Sequence, residues 1–431
     1  MYVKRVSLKG VKAFNGLDFN FSRPDGTFAG WTVITGENAS GKTALLKAIA
    51  MALVGPDTIR TLQPSLKGWV NHSASAAEIA VEVVPGGVDQ FATGRRYETT
   101  FWSELTLTKN EYGDVLLKPG DAKRGKKKGP LNGPWAESTK GWFATGYGPF
   151  RRLYGASPEA QRIMSGPSRV ARFATMFKED ATLGECEIWL RDLSHKKLEH
   201  REVESRVLEQ TLRLMNDDFL RNGLLIERVD SDGVWLRKGD GQLIPLEDMS
   251  EGYRAAVAMM LDLVRHLVEV YGSENLLSQT SDGLVIGHQG VVLIDEIDAH
   301  LHPAWQRQIG FWLKRRFPKI QFLVTTHSAL VCQAADLGGI FHLTAPDDSR
   351  PPFQLTEQDY WAVLRGKPDE ILLTPAFGLE HTRSDRAVSA RKKWGELETK
   401  ARQLKLTDTE VELRSQLELF VDTEGCEPEE A

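Results

Sequence analysis

The sequence predicts an α/β fold with a mixed, mainly parallel sheet core. An N-terminal antiparallel β subdomain, a short helical insertion and a helical C-terminal extension complete it. Three observations carry this reading. The β-rich run Trp31–Thr35 ends at Gly36, and a helical run follows from Thr43 to Leu53. The apolar run Val291–Ile294 ends in Asp295 and Glu296, as a strand buried on both faces would. A helical stretch over 304–316 and a second apolar run over 320–325 follow, which makes 290–325 a compact β-α-β unit.

Taken in order, residues 1–35 read as two or three strands, opened by the alternation Tyr2-Val-Lys-Arg-Val-Ser-Leu8. Strands are expected over 78–84 and 96–107. Residues 118–134 read as a basic Gly/Pro-rich loop with Lys118, Lys123, Arg124, Lys126, Lys127 and Lys128. A strand and sharp turn follow at Trp142–Arg152. The insertion, about 155–222, carries a helical pattern from 184 that would span ~60 Å if unbroken. Leu224–Ile244 reads as a hairpin around Asp232-Gly233 and Asp240-Gly241, and 250–271 as an apolar helix. The division expected is 1–345 for the main domain and 346–431 for a helical extension that binds a partner and ends in an acidic tail. Within that extension Trp394, Leu397 and Leu404 share a helical spacing with a basic stretch from Arg383 to Arg402, and Thr407–Glu410 forms a capping-box pattern.

Composition narrows the classes. A net charge of −5 over 431 residues excludes a general polycation, so any nucleic-acid contact needs a local basic patch. The three cysteines, Cys186, Cys332 and Cys426, are far apart and form no CxxC pair, against a disulfide framework or zinc site and in keeping with a cytoplasmic protein. No apolar run approaches the ~20 residues of a membrane helix, and the N-terminus reads as a strand rather than a signal peptide.

The chemistry begins at Gly36-Glu37-Asn38-Ala39-Ser40-Gly41-Lys42-Thr43, the pattern G-x-x-x-x-G-K-[ST] between strand and helix. Its glycines let successive N–H groups face a phosphate, the lysine reaches the terminal phosphates, and the Thr43 hydroxyl suits Mg²⁺. Asp295, at the C-terminal end of its strand, would face that Mg²⁺, and Glu296 is placed to accept a proton from water. A third strand ends at His327, where a neutral imidazole suits a terminal phosphate or the attacking water. Ser250 and Gly252 precede the long apolar helix, either as a plain N-cap or as a second phosphate-sensing segment. His300 and His302 read as turn residues rather than metal ligands.

In combination these motifs resemble the ABC-type ATPases of the SMC and RecF group, including the ATPase domain of OLD-type nucleases. Gly36–Thr43 matches Walker A, Met249-Ser-Glu-Gly-Tyr253 the signature, Val291–Glu296 Walker B, Ile297–His300 the D-loop and His327 the switch histidine. The resemblance implies ATP and Mg²⁺ as ligands. It also implies a homodimer, or a higher homo-oligomer, with two ATPs sandwiched between heads so that Ser250 and Gly252 complete the partner's site. More narrowly, Gly146-Tyr-Gly-Pro-Phe-Arg-Arg152, Ser250–Arg254 and Asp295–Pro303 look like the PtuA-type ATPases of Septu and some retrons. That resemblance implies anti-phage defence alongside a separate HNH-type nuclease.

Three features depart from the broader pattern. The signature reads Ser-Glu-Gly-Tyr where a transporter subunit shows Ser-Gly-Gly-Gln. Tyr147 stands where the Q-loop glutamine is expected, and the insertion is too short for a long coiled coil. No nuclease site is expected on this chain, since residues 346–431 show no spaced acidic cluster. The alternative reading is a RecF-like repair ATPase that clamps DNA, with the lysines of 118–128 on the phosphate backbone. A transporter subunit, which needs a membrane partner, and an ATP-binding scaffold without turnover rank below it.

Overall fold

The computed structural model describes the whole chain except residues 95–98, 122–127, 138, 275, 346–347, 349, 404–405, 419 and 422–431. Two compact units are present, Met1–Phe377 and Gly378–Ala431.

The first unit opens with β1 (Tyr2–Val11), β2 (Phe14–Asn20) and β3 (Gly30–Gly36), followed by the helix Lys42–Val54. Then come β4 (Ala76–Val84), β5 (Phe101–Lys109), β6 (Val115–Pro119) and β7 (Ala144–Tyr147). After the helical insertion lie β8 (Leu225–Asp230), β9 (Gly233–Arg237) and β10 (Leu243–Pro245). The long helix Glu251–Tyr271, β11 (Ser278–Thr280), β12 (Gly283–Val285) and β13 (Gly290–Ile294) follow. The helix Pro303–Arg316, β14 (Ile320–Thr325), β15 (Ile340–Leu343) and β16 (Phe353–Gln354) close the series.

The expected two-sheet architecture is present. Strands β2-β1-β4-β5-β6 form an antiparallel sheet, and β16-β15-β3-β14-β13-β7 form a mixed one. In the mixed sheet every pair from β15 to β7 is parallel, and β16 adds an antiparallel edge. Alternation along its strands fills two cores. Trp31, Val33, Val292, Ile294, Phe322 and Val324 pack with the helix Glu251–Tyr271 and the insertion. Ile34, Val291, Leu293 and Leu323 pack with the helix Lys42–Val54 and the antiparallel sheet. This parity turns the next odd positions, Asp295 and Thr325, toward the phosphate-loop side.

Several expectations needed correction. The helical pattern over 184–222 is two helices, Glu185–Leu198 and Glu202–Met215. They are joined by a turn with His200 at φ 61° and tied by Lys197 to Glu209 at 2.8 Å. Each helix is ~21 Å long, so the unbroken span is not reached. Apolar positions in both helices bury against the core, which folds the pair back as a hairpin. In the basic segment, Lys118 belongs to β6 and Lys128–Asn132 form a short helix, because cross-strand pairing with β5 extends to Pro119. Lys123, Arg124, Lys126 and Lys127 lie outside the described residues, as do Arg96, Leu404, Cys426 and the acidic tail. The hairpin expected over 224–244 gains a third strand, β10.

The first compact unit continues past residue 345 through the helices Glu357–Arg365 and Pro368–Leu373 to Phe377. The second unit holds the helices Asp385–Gln403 and Asp408–Glu418. Here Arg414 meets Glu398 at 3.2 Å, and the Thr407–Glu410 capping box forms with reciprocal bonds of 2.9 and 3.4 Å. No helix among the described residues is long and apolar enough to cross a membrane. Cys186 and Cys332 are buried free thiols.

Candidate nucleotide site

The loop after β3 takes the conformation its glycines permit. Gly36 has φ 143°, Ala39 φ 65° and Gly41 φ 97°. A Cβ on Gly36 would stand 2.5 Å from the Leu343 carbonyl oxygen, and one on Gly41 2.5 Å from the Phe14 ring. Both glycines are therefore demanded by backbone angle and by space. Glu37, Asn38 and Ala39 are exposed at the loop crest, whereas Ser40 is buried with an unpartnered Oγ. Lys42 is 6% exposed, and its Nζ donates to the Gly36 and Glu37 carbonyls, both at 2.8 Å. One ammonium hydrogen remains for another acceptor. Burial lowers the Lys42 pKa, and Glu296, Asp295 and Asp298 oppose the shift.

Thr43 lies in the first turn of the helix, and its hydroxyl donates to Asp295 Oδ2 at 2.7 Å. Thr325, on the neighbouring β14, donates to Asp295 Oδ1 at 2.6 Å and accepts from the Glu296 N–H at 2.7 Å. The loop, the acidic strand end and β14 thus meet at one carboxylate. Sequence reasoning missed Thr325, although its place two residues before His327 on a parallel neighbour of β13 was the available signal. Among the described residues no group of three or more His, Cys, Asp or Glu forms a metal cage. The hydroxyl–carboxylate pair still fits Mg²⁺, which takes few protein oxygens and leaves its other positions to phosphate and water.

Four further candidates remain. Glu296 is half-buried with φ 47°. His327 is exposed at the end of β14, and its backbone N–H reaches Asp298 Oδ1 at 3.4 Å. Ser250 is exposed, and its side chain does not cap the helix that follows. Gly252 is buried, and a Cβ there would lie 2.0 Å from the His300 carbonyl oxygen, so close packing alone demands glycine. Ser250 and Gly252 line a cavity of about 300 Å³ with Tyr253, His300 and Trp305. Among the described residues neither Ser250 nor Gly252 hydrogen-bonds to Gly36–Thr43.

Tyr147 does not face the phosphate loop. It is 1% exposed and packs on the opposite face of the sheet, where its hydroxyl donates to Asp262 Oδ2 at 3.1 Å. Asp262 is also paired with Arg265 at 2.9 Å and lies 3.4 Å from His266. This polar knot belongs to the helix that begins at the Ser250–Gly252 segment. Burial pushes the Asp262 carboxyl up, but His266 and Arg265 outweigh it and hold the pKa at about 2.

Two family models match parts of the chain. Residues 191–333, which hold the 250–252 segment, the acidic strand end and His327, match a family model described as "AAA domain, putative AbiEii toxin, Type IV TA system". Residues 5–112, which hold the phosphate loop, match a second model described as "AAA domain". The Septu protein PtuA of Bacillus mycoides (strain KBAB4) is 23% identical over 334 residues, covering 76% of this chain. The chain is thus similar to AAA-domain proteins over two separate stretches and to PtuA over most of its length. A second relative, "Retron Ec83 probable ATPase" of Escherichia coli, is 42% identical over 95 residues, 22% of this chain. The chain spans 38% of the Bacillus protein and 16% of the Escherichia coli one. Among solved structures, an SMC head bound to the C-winged helix domain of ScpA matches 83% of this chain and 98% of that chain, at 17% identity and a TM-score of 0.48.

Proposed function

We propose that this chain binds and hydrolyses ATP as a subunit of an anti-phage defence complex. Two heads close on two nucleotides, and that closure controls a separate HNH-type nuclease. The observation that carries the nucleotide part is the Thr43–Asp295–Thr325 contact beside the Lys42 ammonium. Gly36–Thr43 cradle the phosphates with loop N–H groups, and Lys42 binds the terminal ones. Thr43 and Asp295 would hold Mg²⁺, which when bound neutralises charge on the phosphate oxygens. Glu296 orients the attacking water and accepts its proton, and His327 contacts the γ-phosphate.

The exposed Ser250 hydroxyl, free of a capping role, supports its use on the nucleotide of a second head. The defence setting and the nuclease partner rest on the PtuA and retron relatives, and the helices after Phe377 are the first docking surface to test.

The deciding experiment is native purification with mass measurement, joined to an ATPase assay. A nuclease subunit in a defined ratio, with turnover abolished in Lys42→Ala, is the expected result. A lone protein with no ATP turnover would overturn the reading.

A further inference from the structure

We propose that Arg151 is a positioning residue for hydrolysis: its guanidinium fixes the backbone that presents Asp295 and Glu296. The inference rests on the ATPase reading above and adds a residue to it.

The segment 295–297 leaves the sheet at the end of β13, where ladder pairing stops. Its N–H groups are tied to the flanking strands. Asp295 N–H donates to the Tyr147 carbonyl at 2.9 Å, Glu296 N–H to Thr325 Oγ1 at 2.7 Å, and Ile297 N–H to the Thr325 carbonyl at 3.1 Å. Its three carbonyls converge on one side chain. Arg151 Nη1 donates to Asp295 O at 2.7 Å, and Nη2 to Glu296 O at 2.8 Å and Ile297 O at 3.2 Å. Nη1 also donates to Gly148 O at 2.8 Å, closing the turn that carries Arg151 itself. All six backbone groups of 295–297 are thereby satisfied, three of them by a single cation.

Three consecutive carbonyls can reach one guanidinium only if the chain curls between them. Glu296 supplies that curl in the left-handed region, φ 47°, a conformation that costs a non-glycine residue about 1 kcal/mol or more. The clamp holds the strained residue, and the strained residue is the one assigned to accept the proton from water. Arg151 is 5% exposed, and its four hydrogen bonds all go to backbone rather than to a carboxylate. Burial lowers the Arg151 pKa to about 10, and the nearby acids Asp295, Asp298 and Glu296 oppose that shift. Lysine would keep that charge but lose the planar fork, so the two can be separated by substitution.

The test is Arg151→Lys in the full chain, read as separate kcat and KM for ATP, with analogue binding and melting temperature alongside. The expected result is kcat reduced by about 10- to 100-fold, with KM and analogue affinity within about twofold of wild type. This is the size of loss a displaced catalytic group produces. Unchanged kcat would overturn the proposal, and so would parallel loss of turnover and affinity, which marks a general structural role. Pro149→Ala gives a milder second test, since it loosens the turn leading to Arg151 without removing the cation. It should lower kcat by about two- to tenfold, and full kcat there overturns the clamp even if Arg151→Lys fails to fold. Wild-type protein without Glu296-dependent turnover would instead sink the ATPase reading, and the clamp with it.

Discussion

The Thr43 hydroxyl donates to Asp295 Oδ2 at 2.7 Å across 252 positions of sequence. Thr325 occupies the other carboxylate oxygen at 2.6 Å, so Asp295 is held by a hydroxyl on each side. Both hydroxyls donate, so each oxygen of the Asp295 side chain serves as an acceptor. Asp295→Asn removes the charge and turns one acceptor into a donor facing a hydroxyl. Turnover should fall at least about 100-fold, with a higher Mg²⁺ concentration needed for what remains. A magnesium titration of ATP hydrolysis checks this, and a wild-type magnesium response in the variant contradicts the assignment.

Glu296 is half-buried in a backbone already fixed on both sides, so Glu296→Gln changes a proton acceptor and little else. Nucleotide binding should persist while hydrolysis drops by about 100- to 10,000-fold. If two heads close on ATP, the variant should also accumulate as a nucleotide-bound dimer in light scattering. Hydrolysis at the wild-type rate would remove Glu296 from the mechanism.

The knot around Asp262 makes a prediction about pH. Asp262 and Glu269 both titrate at about 2 in the folded protein, below their ordinary values of 3.8 and 4.5. For Glu269, burial pushes upward and the bond to His266 outweighs it. Depressed carboxyl pKa values stabilise the fold above the ordinary values, and that stability is lost as pH falls toward about 2. The urea midpoint should therefore hold above pH 5 and decline between about pH 4 and 2. At neutral pH, Asp262→Ala leaves the buried Arg265 with Glu269 as its remaining carboxylate, strands the Tyr147 hydroxyl and should cost about 3 kcal/mol. An acid limb identical in wild type and Asp262→Asn would contradict the assignment.

How much of this was readable beforehand follows from how local each feature is. The phosphate loop, the acidic strand end and the strand before His327 are short motifs with fixed strand or helix flanks, and the structure brings Gly36–Thr43 and Asp295 together. The direction Tyr147 faces was not readable, because position in a motif does not reveal which face of a sheet a residue takes. β7 pairs with β13 only from Ala144 to Tyr147, and this register turns the ring toward the helix Glu251–Tyr271. Arg151 could be read only as part of a resemblance, since its acceptors are backbone carbonyls that no side-chain pattern encodes. The break at His200 was equally hidden, because helical periodicity runs through both halves of the hairpin and only burial of each against the core separates them.

Ser250 and Gly252 share a motif but should fail differently. Ser250 is exposed and does not cap its helix, so Ser250→Ala should leave stability within about 0.5 kcal/mol of wild type. Its effect should fall on nucleotide-dependent association of heads. Gly252 packs against the turn at His300, where an added methyl would meet the carbonyl oxygen at 2.0 Å. The backbone must shift, and Gly252→Ala should cost roughly 1–3 kcal/mol of stability as well as association. Thermal unfolding of both variants, set beside dimer formation with ATP, separates the two roles. Equal stability losses would assign Ser250 to the fold, and an unaltered Gly252→Ala would show that the helix start moves freely over that turn.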